Sequence, residues 1–304
     1  MSTKKQPRPI RALQGILGYV LALLLAVSLA GACGLTLMNR LLTDQALHER
    51  VAQNERVLDA QMERVEGSIR MLAEKYHFAP ESVLGVDIKG SLEAYGREMV
   101  AWWMGLMGER PDTEAPFPDT RAMEEAIRVD ELFCESTEDF MRRTIARDEI
   151  AYPIGLAMRE AVTPLRISLF SLAMPMITAR VDIPSLISLL GTAQTGLFAL
   201  SAVLLILVLV TQGKRRFLLS SAGLLAAFVL LAAMTAAVAA ADLPGAMAEY
   251  SSMLSLQLGI LLRELTAPVL LAEGVLLLAA VLMMLPVALK REKAYRGQHE
   301  RKEP

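Results

Sequence analysis

Glu273 is the one acidic or basic side chain set well inside a long apolar run of this 304-residue chain. A carboxyl at that depth is expensive unless it is hydrogen-bonded or paired, which makes it a functional candidate by default. It can act in two ways, as a proton or cation carrier or as a hydrogen-bonding post between helices. Helix rise lets its partners be sought by height. Glu273 stands sixteen residues above Leu289, which is about 24 Å at ~1.5 Å per residue. The same count from Thr211 reaches Thr195, beside Gln194, and from Phe217 it reaches Ala233, near Thr235. From Ile16 it reaches Ala32, beside Cys33. Glu273, Gln194, Thr195 and Thr235 are therefore expected to form an intramembrane polar cluster in the outer third of the bilayer, with the neutral side chains bonding the carboxyl and holding the helices together. No second acid lies in a span to relay a proton, so the post is favoured over the carrier.

Other chemistry-bearing patterns fail at a named residue. His48-Glu49 begins like the zinc-protease motif, but Ala52 stands where the second histidine is needed. His48, His77 and His299 are scattered along the chain and form no ligand cluster. There is no G-x-S-x-G nucleophile elbow and no GK[ST] phosphate loop. No aspartate falls within a span, which argues against an intramembrane aspartyl protease. Two cysteines, Cys33 and Cys134, make no disulfide framework. The expectation is a protein that is not an enzyme and uses no cofactor and no metal.

These residues must be positioned by membrane helices. The composition is 54% hydrophobic with a mean hydropathy of +0.39, which places the chain in the membrane class. Two uncharged runs, 191–211 and 217–241, flank Gln212-Gly213-Lys214-Arg215-Arg216. Each run is long enough for a bilayer core, which needs about 20 apolar residues. A link this short joins antiparallel neighbours, so residues 212–216 are the tip of a membrane hairpin, and its cations put that tip in the cytoplasm. Residues 15–38 and 267–289 supply the first and fourth spans. Basic residues recur beside the spans, at Lys4, Lys5, Arg8 and Arg11 and again at Lys290, Arg291, Lys293, Arg296, Arg301 and Lys302, whereas residues 40–190 are acidic. The clusters lie beside spans without interleaved aromatics, so nucleic acid is not the partner. Ala30-Gly31-Ala32 matches a signal-cleavage pattern, and Cys33 has a lipoprotein cysteine's setting except for Ala30. The length of the run favours an uncleaved anchor over either.

The expected fold is all-α: a polytopic cell-membrane protein with four transmembrane helices and both termini cytoplasmic. A helical extracytoplasmic domain at 39–190 lies between the first and second spans, and an amphipathic outer segment at 242–266 lies between the third and fourth. Residues 1–14 and 290–304 are read as polar cytoplasmic ends, the first of them disordered. Residues 41–76 are expected to form one long helix with Val51, Leu58, Val65 and Leu72 on a stripe, for an intramolecular bundle or for a homodimer. Pro80 opens a short helix and Ser91 a second, whose apolar end is Trp102, Trp103, Met104, Leu106 and Met107, the paired tryptophans suiting either core or membrane interface. A helix from Asp119 or Thr120 to Cys134 follows, and then one from Ser136 to about Ala151 with a capping-box-like start. Short Pro-broken segments fill 152–183, and Pro184 starts a helix running into the second span. In the third span Ala232, Ala236 and Ala240 place small residues every four positions, the pattern of a close-packing helix at the bundle centre.

The outer domain is expected to bind a protein partner or ligand, in a sensing or assembly role. The alternative is an accessory or permease subunit of a transport or export complex that uses Glu273. The topology has a direct test. Single cysteines placed at positions 112 and 214 should differ in intact cells, with 112 labelled by an impermeant maleimide and 214 protected; labelling of 214 from outside would refute the orientation.

Overall fold

The computed structural model describes residues 8–107, 114–162 and 183–299, and among these every regular element is helical. The expected proline-broken segments at 163–182 lie outside the described residues, as do residues 108–113 and the ends at 1–7 and 300–304. Among the described residues, four helices are long and apolar enough to cross a membrane: Gly15–Thr43, Ile187–Thr211, Gly213–Ala248 and Ser252–Lys290. The chain divides into two compact units. A span unit takes residues 1–41, 185–242 and 265–304, and an inter-span unit takes residues 42–184 and 243–264.

In the span unit, α1 (Arg8–Thr43), α10 (Ile183–Thr211), α11 (Arg216–Ala240) and the later part of α13 (Ser252–His299) pack together. Helix α1 starts at Arg8, inside the stretch expected to be disordered. Helix α10 runs uninterrupted from beside Pro184 through the second span. Leu21 and Leu25 of α1 meet Leu204 and Val208 of α10 and Leu219 of α11. Ala26 of α1 meets Leu224, Ala227 and Leu231 of α11 and Leu276 and Ala280 of α13. Helix α1 belongs to both clusters, and 44% of its apolar window is buried against 17% for α11, so α1 rather than the third span is the bundle's most enclosed helix. The small-residue stripe is corrected accordingly. Ala236 and Ala240 are exposed within the chain and Ala232 is half-buried; the packed face of α11 is Ser220, Ser221, Gly223, Leu224, Ala227 and Leu231, nearer the hairpin. At Gly223 an added Cβ would stand 3.0 Å from the Ala22 carbonyl oxygen and 3.1 Å from Leu25 Cδ2, so glycine is what lets α11 approach α1.

The inter-span unit has its own core. The stretch 41–76 is not one helix. Asp44 accepts the Leu47 amide at 3.1 Å and starts α2 (Gln45–Ala52), and Asn54 accepts the Arg56 amide at 3.1 Å and starts α3 (Glu55–Tyr76). Both side chains satisfy orphan amide groups of a new helix, and that breaks the long one. Val51, Leu58, Val65 and Ile69 are buried inside this unit, so the stripe suited to a dimer seam is taken up intramolecularly. Helix α3 ends on His77, whose φ of 56° makes a left-handed cap. Next come α4 (Pro80–Leu84) and α5 (Ile88–Met107), the latter starting ahead of Ser91. Trp102 and Trp103 pack edge to face at 5.2 Å against the unit's core.

The helix expected to reach Cys134 is also divided, into α6 (Arg121–Arg128) and α7 (Glu131–Ser136). The cause is Asp130, which is only 6% exposed and accepts the Phe133 amide at 3.0 Å, the Ala79 amide at 3.2 Å and the Ser82 hydroxyl. One carboxyl thus caps α7 and ties α4 to it. Ser136 makes no capping box; its hydroxyl donates to the Phe133 carbonyl, and α8 (Asp139–Thr144) starts after Glu138. A π-helical turn, Ile145–Ala151, leads into α9 (Tyr152–Ala161), where Pro153 occupies the first turn that tolerates it.

The last correction concerns Pro268. The segment expected on the outer face and the fourth apolar run share one continuous helix, α13, with Pro268 and Pro286 inside it, preceded by the short α12 (Leu243–Ala248). Met253, Leu254, Gln257, Leu258 and Leu261 are buried in the inter-span unit, and Glu264 pairs with Arg50 at 3.1 Å. That packing holds the helix through residues a sequence reading sees as weakly amphipathic. In detergent, Gly223→Leu should lower the melting temperature, at a cost of about 1–3 kcal/mol for forcing a close contact apart. Ala236→Leu should melt close to wild type, the reverse of what a packing stripe at Ala232, Ala236 and Ala240 requires.

Candidate functional site

Two places hold groups able to recognise something. The first is an open groove of about 770 Å³ in the inter-span unit, a size within the usual range for ligand sites. One wall is the start of α5, with Asp87, Ser91, Tyr95 and Glu98, and the other is the loop at 117–121, with Phe117 and Arg121. The loop has few residues in regular structure, so specific contacts hold it. The Tyr95 hydroxyl donates to the Pro116 carbonyl at 3.2 Å. Burial pushes the Tyr95 phenol above its ordinary value, with Arg159 opposing and Glu98 adding, so it stays a donor at neutral pH. The Phe117 ring stacks on Tyr152 at 5.3 Å and lies where a side chain on Gly155 would be, since a Cβ there would meet the ring at 2.7 Å and Thr120 Cγ2 at 3.0 Å. Asp87 receives the Gly90 amide at 2.8 Å, and Asp119 receives the Arg121 amide at 3.0 Å. The groove thus combines acids, hydroxyls, one guanidinium and aromatic edges on a braced frame, with no nucleophile held by a base. Sequence reading passed over this site; the one available signal was a phenylalanine between Pro116 and Pro118.

The second place is Glu273. Thr235 donates its hydroxyl to Glu273 Oε1 at 3.1 Å, linking α11 to α13. The same hydroxyl stands 3.0 Å from the Leu231 carbonyl. The other two expected partners are elsewhere. Gln194 Oε1 faces Asn39 Nδ2 at 3.4 Å, and Thr195 is exposed and donates to the Gly191 carbonyl of its own helix. Ser28 with Ser201 at 2.9 Å, and Ser221 on the Ala280 carbonyl at 2.9 Å, add polar links that the search by height did not include.

His48 lies buried beside a small cavity of about 20 Å³, lined also by Gln61 and Gln257, room for one water. Among the described residues no three His, Cys, Asp or Glu side chains stand together as a metal site.

Removing the Glu273 contact should cost little, because Thr235 keeps the Leu231 carbonyl. Glu273→Leu should destabilise the detergent-solubilised protein by about 0.6 kcal/mol, an average intramembrane hydrogen bond. Glu273→Gln, which preserves an acceptor, should melt with wild type. A loss of several degrees in Glu273→Gln would show that the carboxyl does more than accept one bond. No protein-family model, no curated protein and no solved structure matches this chain.

Proposed function

We propose that this is a non-enzymatic multi-pass membrane protein whose inter-span unit is an extracytoplasmic binding module, serving in sensing or assembly. The observation that carries this reading is the braced groove between α5 and the 117–121 loop. A unit with its own core spends Tyr95, Tyr152 and Gly155 on holding one loop in place, as a recognition surface requires. The mixed lining suits a polar partner or ligand with an apolar part more than a purely apolar one. The basic tip at 214–216 and the acidic balance of 40–190 support the outward orientation.

The transport-subunit reading rests on a different observation, the Thr235–Glu273 contact between two spans. A photo-crosslinking amino acid separates the two. Placed at Ser91 in the groove, it should give a discrete adduct in living cells, and placed at Met71, an exposed residue away from the groove, it should give none. Equal adducts at both positions, or none at either, would reject the binding module. A cellular phenotype lost in Glu273→Gln but kept when Phe117 and Arg121 are both changed to alanine would favour the transport reading.

A further inference from the structure

The hairpin tip carries three adjacent cations, and its geometry is specific. Gly213, at φ +50°, turns the chain, and residues 213–215 form one 3-10 turn before α11 begins. Two glycines of α1, Gly15 and Gly18, lie one turn apart and so share a face. The tip lays its side chains across that face. A Cβ on Gly18 would stand 2.5 Å from Gln212 Oε1, and one on Gly15 would stand 3.8 Å from Arg215 Nη1. Arg215 Nη1 therefore lies beside α1 at Gly15. Arg216 lies over the Phe217 ring at 4.7 Å, at the boundary where the apolar run starts. Lys214, Arg215 and Arg216 are exposed, and no carboxylate pairs with any of them among the described residues.

We infer that this tip is a binding site for the phosphate of an anionic membrane lipid. Three cations with no carboxylate partner among the described residues, at the end of two apolar runs, would stand at headgroup depth, where lipid phosphates are concentrated and dissolved phosphate is not. The exposed guanidinium of Arg215, beside Gly15 of α1, can offer two parallel N–H donors to one phosphate, a geometry an ammonium cannot reproduce. Lys214 adds charge, and Arg216 anchors the position against Phe217.

Native mass spectrometry of the full chain in detergent, titrated with phosphatidylglycerol or phosphatidylcholine, tests the site. Phosphatidylglycerol should be retained at least about ten-fold better than phosphatidylcholine. Changing one cation, as in Lys214→Gln, should weaken it about five-fold, and changing all three to glutamine should weaken it about a hundred-fold. Arg215→Lys keeps the charge and removes the fork, and should still weaken binding several-fold. Equal retention of the two lipids would overturn the site. So would an Arg215→Lys variant indistinguishable from wild type, which would reduce the effect to diffuse charge attraction. Displacement of phosphatidylglycerol by millimolar inorganic phosphate would reassign the site to the free ion.

Discussion

Hydrocarbon offers no hydrogen-bond partner to a peptide group, and the rest of this structure depends on that constraint. Runs of about 20 uncharged residues can enter a bilayer only with every backbone amide satisfied within the run, so they become helices whatever their side-chain pattern. The remaining freedom is how closely the helices approach. Here one position decides much of it: Gly223 lies against the Ala22 carbonyl, and the leucines around it close over α1 from two sides. Serines then join the helices at sparse points, Ser28 to Ser201 and Ser221 to the Ala280 carbonyl, where a hydroxyl without a partner would be costly.

The inter-span unit solves a different problem, that of building a core from many short helices. Short helices leave a large share of their amides and carbonyls unsatisfied. Asp44, Asn54 and Asp130 meet that need, and each does so at a point where the apolar pattern alone continues the helix. Asp130 also shows how a buried carboxyl is tolerated: it accepts from two amides and a hydroxyl, and those bonds join α4 and α7. The groove follows from the same economy of contacts. Phe117 fills the space that Gly155 leaves open, so the loop takes a fixed position without belonging to a helix.

Thr235 illustrates a limit on what a polar pair between spans can do. Its hydroxyl has one hydrogen and two acceptors within reach, the Leu231 carbonyl and Glu273 Oε1. The interhelical contact therefore competes with a local one, and its net strength is smaller than its distance suggests. Such a pair positions two helices more than it stabilises them.

Charge-free length and a short basic turn were enough to give, in order, four helices long and apolar enough to cross a membrane, including the pair joined at residues 212–216, because these depend on composition alone. Counting residues also placed Glu273 near Thr235 in height, because helical rise is constant. It did not give azimuth. Gln194 and Thr195 share that level but point to Asn39 and to their own helix, and Ala236 and Ala240 of the third span are exposed while Gly223 and Ala227 pack against α1. Rotation about a helix axis is chosen by all neighbours at once, and an apolar helix has no amphipathic stripe to announce it. The same holds for the inter-span unit, where the end of the long stripe at Asn54, the continuity of α13 through Pro268 and the groove at Phe117 were each decided by contacts between residues far apart in the chain. Local sequence determined which segments are helical and apolar; only tertiary packing decided which side of each helix meets which neighbour, because that choice is made by shape complementarity and not by period.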